Sequence, residues 1–116
     1  MRAVVSGRRW RAACVSLGLC LSYVGVVSAQ GVSDGLALAK AKTCLGCHQV
    51  DAKRVGPAFT AIAQRYAGQA DAEQSLSKAI RQGARGRWGA VPMPAQSQVN
   101  EQDAQRLAKW IISLRP

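Results

Sequence analysis

The chain has 116 residues, a length that fits one small domain, and its 16 Lys and Arg against 6 Asp and Glu give a formal charge of +10. That excess favours an acidic protein surface or anionic lipid as partner, and because the basic residues form no dense run it argues against nucleic acid. A single histidine leaves too few nitrogen and sulfur donors for a four-ligand structural zinc site once the leading segment is set aside.

That leading segment is the first element in chain order. Arg2, Arg8, Arg9 and Arg11 make a positive start, Ala12 to Val27 is uncharged and apolar or small, and Val27-Ser28-Ala29 offers small residues where a signal peptidase reads. Residues 1–29 are expected to be a secretory signal peptide and 30–116 the exported domain, with an uncleaved membrane anchor as the alternative. Leu19 before Cys20 argues against lipidation. Removing 29 of 116 residues leaves 87, carrying twelve basic residues against six acids, about +6. So short a chain is marginally stable unaided, and beyond residue 29 it has only Phe59, Tyr66, Trp88 and Trp110 as aromatic bulk. A buried prosthetic group would supply the missing centre.

Ser33 or Asp34 is expected to cap a first helix that runs straight into Cys44–His48. Gln49 to Gly56 has no apolar period and reads as a loop. Pro57 suits the first turn of a second helix over Ala58–Tyr66, with Phe59, Ile62, Ala63 and Tyr66 at helical spacing and Gly68 after it. Asp71 can cap a third helix through Gln82, with Leu76 and Ile80 on one face and Gly83 as the stop. A Gly/Pro-rich stretch from Ala84 to Val99 is too long for a plain linker. Asn100 then caps a last helix, Asp103 stands at the capping-box position, and Ala104, Leu107, Ala108, Ile111 and Leu114 form its buried stripe. With no strand alternation anywhere, the expected fold is all-α.

Cys44-Leu45-Gly46-Cys47-His48 carries the strongest chemistry. Two thiols three residues apart can add to the two vinyl groups of one haem while the adjacent imidazole meets the iron. The rivals are weaker. A thioredoxin-like pair needs a βαβ setting, and a short-loop disulfide leaves His48 without a purpose. Met93 is the only methionine after the start, and Pro92 and Pro94 on either side fix its backbone. Such a stiff loop can hold a thioether as the second axial ligand, so His48 and Met93 are the candidate metal ligands.

These residues, with Val55-Gly56-Pro57-Ala58-Phe59, Gly86-Arg87-Trp88-Gly89, Pro92-Met93-Pro94 and Leu107-Ala108-Lys109-Trp110-Ile111, give the chain its resemblance to the short bacterial class I cytochromes c, periplasmic carriers serving nitrite reductases and terminal oxidases. The resemblance spans nearly all of residues 31 to 116 and implies about four helices wrapped around one covalently attached haem c. It implies that the Pro57 carbonyl accepts the second ring N–H of His48, that the Trp88 indole reaches a haem propionate, and that Arg81 stands where a basic partner for that carboxylate is found. A solvated helix charge is an equal reading of Arg81. It also implies that Gly35 lets the first helix approach the last at Trp110. Ala95 and Gln96 depart from the pattern, where a proline and a sulfur-orienting asparagine are common.

An iron held by imidazole and thioether has no open position for substrate, and the soft sulfur favours the ferrous state. The expected function is therefore a monomeric single-haem electron carrier of the periplasm, not an enzyme, docking on acidic donor and acceptor proteins and without stable membrane association after cleavage. The alternatives are a haem subunit of a larger redox complex, or a haem enzyme or gas-binding protein with a labile Met93.

Overall fold

The structure, a computed structural model, describes residues 30–114, so the signal peptide expected over residues 1–29 lies outside the described residues. Four α-helices follow in order: α1 (Gln30–Ala41), α2 (Phe59–Arg65), α3 (Ala72–Gln82) and α4 (Glu101–Ser113). A single 3-10 turn, Cys44–Gly46, stands between α1 and α2. Among the described residues no helix is long and apolar enough to cross a membrane.

α4 is the element against which the other three pack. Its expected stripe is real: Ala104, Leu107, Ala108 and Ile111 are buried, Leu114 is half-buried, and Trp110 is buried with them. Phe59, Ile62 and Tyr66 from the second helical segment, Leu76 and Ile80 of α3 and Val99 complete one core. Asn100 caps α4 as expected, its side-chain oxygen accepting from Asp103 N at 2.8 Å. α1 crosses α4 at Gly35, where a Cβ would fall inside the Trp110 ring, so only glycine permits the approach.

Three local expectations are corrected. Ser33 and Asp34 lie inside α1 and do not cap it. α1 stops at Ala41 and does not run into the cysteines, because Thr43 adopts a left-handed conformation (φ 61°) that breaks the helix before the 3-10 turn. Pro57 is outside α2, whose N-cap is the extended Ala58. The first free amides of α2 are satisfied by the preceding loop, with Phe59 N donating to Gln49 O at 2.9 Å and Thr60 N to Val50 O at 3.0 Å. That leaves the Pro57 carbonyl available for another partner.

The segment after α3 is ordered by a two-bond clasp. Ala84 N donates to Met93 O and Met93 N to Ala84 O, both at 2.9 Å. Gly83 (φ 80°) turns the chain into it, and a Cβ there would sit 2.6 Å from the Met93 carbonyl oxygen.

Candidate haem site

A cavity of about 500 Å³ lies among α2, α3, α4 and the two long loops. Cys44, Cys47, His48 and Met93 all line it, together with Phe59, Ile62, Leu76, Ile80, Leu107 and Ile111. Four residues selected from sequence for one haem thus border one space whose walls are mainly apolar. Among the described residues no three His, Cys, Asp or Glu side chains gather as a metal cage.

His48 is fixed on three sides. Its backbone N donates to Cys44 O at 2.9 Å, which closes the turn carrying the cysteines. Its Nδ1 stands 2.8 Å from the Pro57 carbonyl oxygen. A carbonyl only accepts, so Nδ1 is the protonated nitrogen and Nε2 keeps the lone pair that a metal takes. The ring stacks on Phe59 with centroids 5.1 Å apart and planes at 18°, and Phe59 meets Trp110 edge-on at 5.0 Å. Gly56 closes the third side, its amide donating to Cys47 O at 2.8 Å.

Cys44 and Cys47 are free thiols; Cys44 is half-buried and Cys47 exposed. Burial pushes the Cys44 thiol above the ordinary cysteine value, against a smaller opposing pull from a backbone hydrogen bond. Met93 is half-buried and held in place by the clasp to Ala84.

The remaining predicted residues separate. Trp88 lines the cavity and is partly exposed, with the Arg65 guanidinium 4.5 Å above its ring. Arg81 is not at the cavity. Leu76, Ala79 and Ile80 present one face of α3 to it, and Arg81 follows about 100° further round the helix. It lies instead against Glu101 at 3.6 Å, about half exposed, the position of a solvated helix charge. Gln96 lines the cavity, but its Nε2 donates to Pro94 O at 2.8 Å and its Oε1 accepts from Gln98 at 2.9 Å. One of its two amide N–H groups is thus used by the loop backbone. Two features escaped the sequence reading: the Phe59 ring under His48, and Arg87, which lines the cavity and donates to the Tyr66 hydroxyl. The adjacency of Arg87 to Trp88 was the only signal for the second.

Comparison with known proteins agrees with the fold and the motif. A family profile described as cytochrome c matches residues 32–115. The chain is 44% identical over 97 residues to cytochrome c-551 of Pseudomonas aeruginosa, covering 82% of this chain and 92% of that protein. It is 44% identical over 93 residues to cytochrome c-552 of Hydrogenobacter thermophilus, covering 79% and 94%. The crystal structure of Nitrosomonas europaea cytochrome c552 superposes with a TM-score of 0.67 at 46% identity, over 68% of this chain and 98% of that one.

Proposed function

The chain belongs to the cytochrome c family, and on that basis we propose that it is an exported, diffusible electron carrier whose one covalent haem c is bonded to Cys44 and Cys47 and ligated by His48 and Met93. When bound, the haem supplies an iron that gains and loses one electron. The chain's own residues set the conditions for that exchange. Pro57 holds the His48 tautomer and strengthens its free nitrogen as a donor. Met93 contributes a soft thioether that favours the reduced metal, on a loop whose prolines and clasp limit its movement. Phe59, Ile62 and Leu107 keep water from the inner wall. Trp88 offers an N–H to a haem carboxylate at the rim.

The observation that carries this reading is the convergence of Cys44, Cys47, His48 and Met93 on one cavity. With His48 and Met93 both holding the iron, no ligand position would remain for a substrate, which supports a carrier and not an enzyme. Exposed Val55, Trp88 and Val91 line the rim beside Lys53 and Arg87, an apolar patch with positive charge next to it. That composition supports short-lived docking on acidic redox proteins. Residues 1–29 would direct the chain to the periplasm and leave by cleavage after Ala29, giving a monomer without a membrane anchor.

The test is one visible spectrum with an intact mass. The mass should equal residues 30–116 plus one haem. The oxidised protein should show a methionine–iron charge-transfer band, and the reduced protein should ignore carbon monoxide, whereas Met93→Ala should lose the band and bind carbon monoxide readily. Carbon monoxide binding by the unaltered protein would refute the carrier reading.

A further inference from the structure

Three charged residues line the cavity, Asp51, Lys53 and Arg87. Asp51 and Lys53, of opposite charge, stand two positions apart in one loop. Arg87 differs. Its guanidinium donates to the hydroxyl of buried Tyr66, a neutral partner, and among the described residues no carboxylate pairs with it. A second guanidinium is bound at the same corner: Arg65 donates to the Arg87 backbone carbonyl and lies over the Trp88 ring. Arg87 and Trp88 are carried there by a turn between Gly86 (φ 70°) and Gly89 (φ 106°), conformations that glycine adopts at little cost.

Arg65 is tied to the Arg87 backbone and Arg87 to Tyr66, so two positive side chains without a carboxylate partner are anchored at one corner, an arrangement that an entering anion stabilises. The cavity's expected occupant brings two carboxylates to an otherwise apolar space. Arginine is the side chain whose planar fork best matches a carboxylate. Arg81 is turned away to Glu101, and the residue of α3 that does face the cavity beside Ile80 is the uncharged Ala79.

We infer that Arg87, in place of Arg81, is the cation that meets a haem propionate at the rim of the cavity, with Tyr66 and Arg65 as the side chains that hold it there. The inference rests on the reading that the cavity holds a haem. Arg87 supplies the charge, Trp88 beside it supplies a neutral donor, and Arg65 steadies both through the Arg87 carbonyl and the Trp88 ring.

The experiment uses haem-loaded protein, verified by intact mass and by the methionine–iron band, and reads the midpoint potential of Arg87→Gln, Arg87→Lys and Arg81→Gln. Loss of the Arg87 charge beside the carboxylate favours the ferric state, so Arg87→Gln should lower the ferrous-to-ferric ratio at fixed potential by roughly threefold or more, as expected for one partly exposed charge-assisted hydrogen bond. Arg87→Lys should recover most of the shift, and Arg81→Gln should leave the ratio unchanged. Equal shifts in Arg87→Gln and Arg81→Gln, or none in either, would overturn the inference. If Arg87→Gln fails to accumulate, the crystal structure of the unaltered haem-loaded protein decides. Arg87 within hydrogen-bond reach of a propionate oxygen supports the assignment; a guanidinium beyond about 4 Å, turned to solvent, overturns it. That last result leaves the haem reading standing, whereas a protein that takes no haem overturns both.

Discussion

A methyl group added at Gly56 would stand 2.5 Å from Cε1 and 2.8 Å from Nδ1 of His48. The imidazole could not stay where Pro57 and Phe59 hold it, so Gly56→Ala should tilt the ring and break the bond to the Pro57 carbonyl. Overpacking of this kind costs about 1–3 kcal/mol, which in a domain of this size lowers Tm by roughly 4 °C or more. Thermal melting of the haem-loaded variant checks this, and an unchanged Tm would show that the loop gives way without disturbing His48. The need for glycine here was not legible in the sequence. Cys44, Cys47 and His48 were legible because covalent attachment demands fixed spacing within one short segment. Gly56 and Phe59 act through contacts with a ring eight and eleven positions earlier, which no periodicity records. Met93 stood out for a different reason, as a lone methionine between two prolines.

At the scale of elements, the helices declared themselves where one face is apolar and one end is capped. α4 shows both, and Asn100→Ala should remove the bond to Asp103 N at a cost of about 1 kcal/mol, or roughly 4–8 °C in Tm. The start of α2 was misread because Pro57 fits a first turn equally well, and only the pairing of Phe59 and Thr60 with the 49–50 loop places it outside. The end of α1 was misread because nothing in the residue type of Thr43 announces a left-handed backbone. A tie between the residue just after α1 and α4 was also invisible: Lys42 Nζ reaches Asp103 at 2.9 Å, and Arg106 joins at 3.3 Å. The hydrogen bond from Lys42 foremost, with the two positive charges, holds the Asp103 carboxyl below the usual carboxylate range. Because the folded value is depressed, the unfolded chain takes up the proton first. The tie's contribution is therefore fully present above the ordinary carboxylate value and is lost as pH falls through that value toward the folded one. Urea unfolding of Asp103→Asn beside the unaltered protein, repeated across pH, tests this: the midpoints should differ near neutrality, and the gap should start to narrow as pH falls through about 4 and close only below the depressed folded value. A gap that persists in acid would show that the carboxylate charge is not what matters.

The molecule as a whole presents its cofactor cavity at a rim where exposed Val55, Trp88 and Val91 adjoin Lys53 and Arg87, and residues 30–116 together carry about +6. Net charge was readable from composition, but its placement was not, because Lys53 and Arg87 are far apart in sequence and meet only through the cavity between them. The placement determines how the carrier should behave with a partner. On the proposed acidic partner, positive charge at the rim would steer approach toward the haem edge, while the exposed valines would exclude water without the area a permanent complex needs. At 0.01 M ionic strength the screening length is about 30 Å, longer than the distance over which encounter is guided; at 0.15 M it is about 8 Å. The second-order rate of electron transfer to an acidic redox protein, followed by stopped-flow absorbance, should thus fall by roughly tenfold or more between those conditions. Charge reversal at Lys53, which touches no part of the His48 or Met93 support, should flatten that slope and leave the spectrum unchanged. A rate indifferent to salt would mean that recognition lies in the apolar rim alone, with the basic residues serving the haem carboxylates and not the partner.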